Sequence, residues 1–314
     1  MCGIVGYFDK RSPEAPVGRV LLHMLTALGG RGPDSAGVAV WGRRVNGLVV
    51  WVKPAEQVAG EALRREIVRR ARALAQVQGV ITRGSLIRVV VDKADPRELA
   101  TAIEAAGSGV EVVSMGQHLE IVKQVETPEN LERTFGISRL SGRYGIGHTR
   151  LSTESRVDLS HSQPFWTHGA PDLAVVHNGH ITNYHKLRRQ YEQRGVRFYT
   201  ENDSEVIGIY LADRMAGGLG FTEVLEASVE ELDGSFSYLA ATAEAFGFAK
   251  DPFSLKPLIV AETESFVAIA NEEVAIRAAL SGSYPAREAG AGAVRVWSSQ
   301  PASPPRLRRR RRAA

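Results

Sequence analysis

The sequence predicts an α+β fold, and the patterning of its apolar residues carries that prediction. Short apolar runs, which are typical of buried strands, recur along most of the 314 residues. Fewer segments show the apolar spacing of amphipathic helices. The connections between the last predicted strands are short, which favours antiparallel pairing over alternating strands and crossover helices.

The N-terminal part begins with a predicted buried strand, CGIVGYF at residues 2–8. Residues 17–28 place apolar groups at helical spacing, and we expect the helix to stop at the Gly-Gly pair that follows. RGPDSAG at residues 31–37 predicts a loop. It leads into VAVWG at 38–42 and LVVWV at 48–52, which predict two paired strands.

A small α/β module is predicted to interrupt the main body at about residues 54–135. One basic helix is expected over residues 56–77, and PRELATAIEAAG and TPENLERTFG predict two more. GVITRG and LIRVVVD predict strands, and VEVVSMG and HLEIVKQV predict another strand pair. The module has no glycine-rich phosphate loop and no paired metal ligands, so we expect a structural or partner-binding role.

The strand pattern of the main body resumes after the module. RYGIGHTR at 143–150 and DLAVVHNGHITN at 172–183 each contain a predicted strand. Residues 204–215 and 221–232 predict two amphipathic helices. Three further strands, SFSYLAAT, PLIVAET and SFVAIAN, follow with short turns between them. Many strands and few helices again indicate an α+β main body.

The positive charge of the chain is concentrated in its tail. The sequence pI is about 9.3 and the net charge is +4, but residues 306–312 hold six arginines. Removing those six charges leaves −2 for residues 1–305. A proline-rich lead and a run of like charge predict a disordered, solvated tail, the alternative being weak binding to polyanions or to an acidic partner. No aromatic residues interleave with the arginines, so specific nucleic-acid binding is not expected.

The single cysteine, Cys2, excludes an internal disulfide and indicates a reducing, cytoplasmic setting. The start lacks the basic n-region and apolar h-region of a signal peptide. No stretch approaches the roughly 18 apolar residues of a membrane span, so no membrane partner is expected.

The position of Cys2 directly behind the start methionine suggests a specific chemistry. Methionine is usually removed before a small residue. Removal makes Cys2 the first residue, with a nucleophilic thiol and a basic α-amine on the same carbon skeleton. The alternative is that Cys2 is a small buried hydrophobe.

Three further motifs suit acyl transfer to such a thiol. HNG supplies the Asn178 amide and the Gly179 N–H as an oxyanion pair, although Asn-Gly also forms simple turns. GHTR ends in Arg150, whose guanidinium suits a carboxylate, the alternative being an ordinary salt bridge. Asp203 opens a predicted helix and suits an ammonium group, the alternative being a helix cap. One arginine and one aspartate together describe a pocket for an α-amino acid.

MCGIVG, RGPDSAG, GHTR, HNG and the acidic ND pair, in this order, resemble the class II glutamine amidotransferases, which are N-terminal-nucleophile hydrolases. The resemblance runs over residues 2–279, is broken by the module at about 54–135, and leaves 280–314 as a C-terminal extension with the arginine-rich tail. The chain looks most like stand-alone glutaminase subunits of glutamate-synthase-like and N-methylglutamate-synthase-like systems, which share a similar insertion and a similar EEVAIRA ending. The implied fold is a four-layer αββα sandwich of two antiparallel sheets.

The resemblance also implies a role for each motif residue. Cys2 is the nucleophile, and its α-amine is the base that later protonates the leaving ammonia. Asn178 and Gly179 form the oxyanion hole. Arg150 binds the glutamine α-carboxylate, and Asp203 binds the α-ammonium.

Two supporting residues follow from the same motifs. Arg31, in the RGPD loop, is expected to order the site, and His148 is expected to hydrogen-bond within the fold. Glu154 stands where some relatives carry a histidine, a departure that concerns how the site closes over glutamine. His177 and His180 have an HxxH spacing, but we expect turn or core histidines and no metal.

The implied reaction needs L-glutamine and no cofactor. Residues 280–314 are too few for a domain that consumes ammonia, so a separate glutamate-synthase-like subunit is the expected partner. Two alternatives remain: the amidotransferase-like component of an N-methylglutamate-synthase-like transferase, and a non-catalytic glutamine-binding or scaffold subunit.

Overall fold

The computed structural model describes residues 2–55, 60–151 and 156–299. Two antiparallel sheets pack face to face, and helices cover the outer face of each. This arrangement confirms the predicted α+β, four-layer αββα sandwich. The arginine-rich tail and Glu154, for which we made predictions above, lie outside the described residues.

The strands are β1 (Gly3–Asp9), β2 (Ser35–Trp41), β3 (Leu48–Lys53), β4 (Val77–Arg83), β5 (Leu86–Val91), β6 (Glu111–Gly116), β7 (Leu119–Val125), β8 (Tyr144–Arg150), β9 (Phe165–Trp166), β10 (Ala174–Ile181), β11 (Gly234–Ala241), β12 (Ala245–Lys250), β13 (Ile259–Glu262), β14 (Phe266–Ala270), β15 (Ala286–Glu288) and β16 (Val294–Ser298). The α-helices are α1 (Val17–Ala27), α2 (Glu61–Arg72), α3 (Pro96–Glu104), α4 (Pro128–Phe135), α5 (Tyr184–Gln193), α6 (Asp203–Ala216), α7 (Phe221–Glu231) and α8 (Glu273–Ala279). Short 3-10 helices cover Gly29–Arg31 and Ile137–Arg139.

The first sheet has seven strands in the order β15-β13-β14-β1-β8-β2-β7, and the second has five in the order β16-β12-β11-β10-β9. Strands β1 and β8 lie at the centre of the first sheet and contact β10 and β11 of the second. All seven residues of β2 and of β8 are buried, because these strands are covered by the other sheet on one face and by helices on the other.

The outer helices bury apolar faces against each sheet. Helices α1, α4 and α8 pack on the first sheet, and α6 and α7 pack on the second. One apolar core fills the space between the sheets and under α1, and a second lies between the five-stranded sheet and α6 and α7. Burial of these apolar faces, at roughly 25 cal/mol per Å², stabilises the layers.

The inserted module is a separate four-stranded antiparallel sheet in the order β4-β5-β3-β6, covered by α2 and α3. The prediction that VAVWG and LVVWV pair with each other is wrong, because β2 pairs with β7 and β8 whereas β3 pairs with β5 and β6. The predicted pairing of VEVVSMG with HLEIVKQV is wrong for the same reason, since β6 belongs to the module and β7 to the first sheet.

The module therefore has other limits than the predicted residues 54–135. Strand β3 precedes residue 54 and belongs to the module, while β7 and α4 belong to the main body. Helix α2 is also shorter than the predicted 56–77. The chain passes from one sheet to another in the short connections between β2 and β3 and between β6 and β7. The apolar runs on either side are similar in composition, so the sequence does not indicate these changes of sheet.

The residues after Ala279 take part in the sandwich. Strand β15 pairs with β13 at the edge of the first sheet, and β16 pairs with β12 at the edge of the second. The extension predicted from residue 280 thus completes both sheets as far as residue 299. No helix in the described ranges is long and apolar enough to cross a membrane.

Candidate active site around Cys2

Cys2 lies at one end of the sandwich, immediately before β1. The register of β1 against β8 pairs Gly3 with Thr149, so Cys2 lies beside Arg150 at the end of β8. The thiol is partly exposed, and its Sγ lies 3.8 Å from the Leu151 carbonyl oxygen. The thiol is therefore accessible, and the alternative of a small buried hydrophobe does not describe it.

The second sheet contributes to the same place. Asn178, on β10, donates from Nδ2 to the Cys2 carbonyl oxygen at 3.4 Å. Arg31 donates from Nε to the same oxygen, also at 3.4 Å. Motifs from the start of the chain and from β10 thus meet at one backbone carbonyl.

Gly179 lies inside β10 and not in a turn, so the simple Asn-Gly turn is excluded. Its φ is +139°, a conformation that favours glycine, and a Cβ there would lie 2.1 Å from the Ser235 carbonyl oxygen. Gly179 pairs with Phe236, whose own N–H and carbonyl bond instead to Asp251. The Gly179–Phe236 pair is therefore the non-hydrogen-bonded kind, and the Gly179 N–H points away from β11.

Arg150 is buried at 4% exposure. Its Nη1 donates to the Arg156 carbonyl oxygen at 2.9 Å, and its backbone pairs with Ser35 on β2. Burial lowers the pKa of the Arg150 guanidinium, while the nearby carboxylates of Asp158 and Asp34 oppose that shift. A buried guanidinium next to Cys2 suits an anionic group of a substrate.

Asp203 is the first residue of α6, but it does not cap the helix. Asn202 is the N-cap, and its side chain accepts from the Ser204 N–H at 2.9 Å. Asp203 Oδ2 instead accepts from the Ile181 N–H on β10 at 2.8 Å. The cap alternative is therefore wrong, and the partly exposed carboxylate stands beside the strand that carries Asn178 and Gly179.

Arg31 connects two elements at the site. Besides its bond to the Cys2 carbonyl, its Nη1 forms an ion pair with Glu272, the N-cap of α8. Gly32, the next residue, lies so close to β8 that a Cβ would stand 2.6 Å from the Arg150 backbone nitrogen. The RGPD loop thus holds the start of β1 against β8.

Two histidines lie buried between the sheets, each just before site residues. His148 is fully buried, and its ring lies within hydrogen-bonding reach of the backbone of His177. Burial, with the nearby charges of Arg150 and His177, lowers the pKa of His148 to about 3. Burial also lowers the pKa of His177, whose Nδ1 lies 2.9 Å from Ser204 Oγ.

Two residues that hold the site together, Asn271 and Gln163, lie outside the motifs that the sequence offers. Asn271 bonds to both the N–H and the carbonyl of Ile4 and donates to the Pro257 carbonyl, fixing the start of β1. Gln163 bonds to the backbone of His177. The only sequence signal for Asn271 is its position directly after a strand, and Gln163 has none. Within residues 2–55, 60–151 and 156–299 no cluster of three His, Cys, Asp or Glu residues forms a metal site.

Comparison with known proteins places this geometry in context. A family model described as a glutamine amidotransferase domain matches residues 148–278. The glutamine amidotransferase-like protein GlxB of Rhizobium meliloti is 34% identical over 305 residues, covering 96% of this chain and 97% of GlxB. An amidophosphoribosyltransferase of Methanocaldococcus jannaschii is 29% identical over 171 residues, which cover 54% of this chain and 36% of that protein.

The fold has a solved counterpart. A glutamine phosphoribosylpyrophosphate amidotransferase from B. subtilis, solved with ADP and GMP, superposes with a TM-score of 0.60 at 20% identity. The match covers 95% of this chain and 47% of that one, so this chain spans about half its length. The superposition confirms the predicted N-terminal-nucleophile hydrolase fold.

Proposed function

The chain belongs to the class II glutamine amidotransferases, and from this premise we propose that it hydrolyses L-glutamine to L-glutamate and ammonia through a thioester on Cys2. The observation that carries the proposal is the meeting of Asn178 and Arg31 at the carbonyl of Cys2, with Arg150 alongside.

The proposed chemistry divides amide hydrolysis into two acyl transfers. Cys2 Sγ attacks the γ-carbonyl carbon of glutamine, and the α-amine of a trimmed Cys2 takes the thiol proton. That amine returns the proton as the carbon–nitrogen bond breaks, so ammonia leaves and a thioester remains. Water then attacks the thioester, releasing glutamate and restoring the thiol. An α-amine has a pKa of about 7.7–8.0 in the absence of perturbation, which suits proton exchange near neutral pH.

The oxyanion of each tetrahedral intermediate is expected to lie between Asn178 Nδ2 and the Gly179 N–H. Asn178 is directed to Cys2 by its bond to the Cys2 carbonyl, and the Gly179 N–H faces away from β11. Donors fixed before the reaction stabilise the developing charge without further reorganisation.

The α-carbon groups of glutamine are expected to bind on either side of this point. Arg150 offers a buried positive charge for the α-carboxylate, and Asp203 offers a partly exposed carboxylate for the α-ammonium. Asp203 Oδ2 is fixed by the Ile181 N–H, so the carboxylate is oriented before substrate arrives.

We further propose that the ammonia is used by a separate, glutamate-synthase-like subunit. The described residues form the sandwich and its inserted module, and no second domain that could consume ammonia is present among them. The module, an independent sheet on the main body, is a candidate surface for that subunit.

The assay that tests this function is release of glutamate from glutamine by the purified protein, alone and with its co-purifying partners. Wild-type protein is expected to release glutamate and Cys2→Ser is expected to release none, since the alcohol is a far weaker nucleophile than a thiolate. A folded wild-type protein that binds glutamine but never releases glutamate, with partners present, would favour the scaffold alternative.

A further inference from the structure

The outer edge of β10 is paired with another strand over only part of its length. Strand β9 pairs only with Ala174 and Val175, and beyond them no strand of the described residues lies along that edge. The backbone N–H groups of His177, Gly179 and Ile181 all point to it, because N–H groups alternate sides along a strand. Unpaired donors in a row normally need partners.

Gln163 supplies the partner for His177. Its Oε1 accepts from the His177 N–H at 2.6 Å, and its Nε2 donates to the His177 carbonyl oxygen at 3.1 Å. These are the two bonds that a residue of a neighbouring strand would form. Gln163 is 4% exposed, so water does not compete for them.

Asp203 supplies the partner for Ile181, at 2.8 Å. The Gly179 N–H, between these two, donates to no described residue. The side chains of Gln163 and Asp203 thus take the place of the missing strand at the N–H groups of His177 and Ile181. They leave the Gly179 N–H, which is expected to bind the oxyanion.

Gln163 also links β10 to the helix that carries Asp203. Its Nε2 lies 3.2 Å from Ser204 Oγ, and that oxygen lies 2.9 Å from His177 Nδ1. Ser204 directly follows Asp203 in α6. The buried carboxamide of Gln163 therefore contacts both β10, which carries Asn178 and Gly179, and the start of α6, which carries Asp203.

The backbone of Gln163 is held firmly. Buried Lys123 donates to the Ser162 carbonyl oxygen at 2.8 Å. Strand β2 passes so close that a Cβ on Gly37 would lie 2.3 Å from the Gln163 carbonyl oxygen. A side chain on so fixed a backbone can position its partners.

We propose that Gln163 is a positioning residue that takes the place of a neighbouring strand at His177. It orients the Gly179 N–H toward the oxyanion. Through Ser204, it also holds Asp203 in position for the substrate ammonium. This proposal rests on the proposed glutaminase function for its kinetic consequence, but not for its structural one. The oxyanion of the substrate is thereby expected to accept from the Gly179 N–H, the group on the edge of β10 that Gln163 and Asp203 leave without an acceptor.

The kinetic test replaces Gln163 by methionine, which has a similar shape and none of the hydrogen bonds. In Gln163→Met we expect kcat for glutamine to fall about 10²-fold, since a misplaced reacting group costs about that much, with a smaller rise in KM. Gln163→Glu keeps an acceptor for the His177 N–H and should recover part of the loss. The matched control is Gln124→Met on β7, which should keep wild-type kinetics. The Oε1 of Gln124 has no hydrogen-bond partner among the described residues.

The structural test follows amide hydrogen exchange in the peptide that covers residues 174–181. Gln163→Met should speed exchange at His177 relative to wild type and to Gln124→Met, with all three proteins folded by circular dichroism. If the wild-type protein shows no glutaminase activity, the proposed function is overturned. Faster exchange at His177 in Gln163→Met would still uphold the positioning role in that case. Wild-type exchange at His177 in Gln163→Met, or wild-type kcat in an active enzyme, would overturn the positioning role.

Discussion

The side-chain nitrogen Nδ2 of Asn178 lies 3.4 Å from the carbonyl oxygen of Cys2 and donates a hydrogen bond to it. The two residues belong to different sheets, since Cys2 precedes β1 of the first and Asn178 lies on β10 of the second. The sandwich therefore brings an amide donor to the residue that carries the only thiol of the chain. The account of glutamine hydrolysis depends on that relationship.

Asn178→Asp removes the amide donor while keeping the size of the side chain. We expect kcat to fall by about 10²–10³-fold with little change in KM, because the oxyanion donor acts mainly in the transition state. Steady-state kinetics with glutamine measure both constants. Asn183→Asp, at the N-cap of α5, makes the same change away from the site and should leave kcat near the wild-type value. Equal losses in both variants would count against the oxyanion role.

Asp203→Asn removes a charge but leaves an oxygen to accept from the Ile181 N–H. We expect kcat/KM for glutamine to fall about 10–100-fold, since hydrogen bonds to charged groups contribute about 1.5–3 kcal/mol. The loss should be much smaller for a glutamine analogue that lacks the α-amino group. An equal loss for both substrates would show that Asp203 does not bind the ammonium.

Gly179→Ala introduces a Cβ at φ +139°, 2.1 Å from the Ser235 carbonyl oxygen. Strain and overpacking should together lower the free energy of unfolding by at least about 2 kcal/mol, as measured by urea denaturation. Gly195→Ala is the control, because Gly195 also has a positive φ, +81°, but a Cβ there meets nothing within 4 Å. A loss at position 179 no larger than at 195 would contradict the close approach of β10 and β11.

His148 should make the fold sensitive to acid. Burial holds its pKa at about 3 in the folded chain, against about 6.5 when unfolded. Between these values the unfolded chain binds a proton that the folded chain does not. The free energy of unfolding therefore falls as pH drops below about 6.5, by about 1.4 kcal/mol per pH unit from this group.

The His148→Leu variant tests that contribution. Its free energy of unfolding should fall less steeply between pH 6.5 and 4 than that of the wild type, as measured by urea denaturation at each pH. His23→Leu, at an exposed histidine on α1, should keep the wild-type slope. Parallel slopes for His148→Leu and wild type would show that His148 is not held neutral.

Local patterns in the sequence predict most of the secondary structure but not its partners. The strand over residues 2–8 and the helix over 17–28 lie where apolar spacing predicts them. The sequence pattern does not predict that β2 pairs with β7 and β8, because the inserted module separates β2 from these strands along the chain. Pairing across an insertion is a tertiary property that periodicity does not carry.

The same distinction holds in the active site. Cys2, Asn178 and Arg150 are chemically distinctive residues in short motifs, and the fold brings them together. Gln163 is important only because its buried backbone is held beside β10 by Lys123 and β2. The residues around Gln163 form no pattern that predicts this contact, because the contact depends on how distant strands pack.

The most direct measurement of the central claim is the intact mass of the protein after treatment with 6-diazo-5-oxo-norleucine, followed by peptide mapping. We expect a chain without Met1 that carries one adduct on Cys2, with adduct formation slowed by added glutamine. A chain that has lost Met1, stays folded and gains no adduct on Cys2, even with its partners present, would contradict the account.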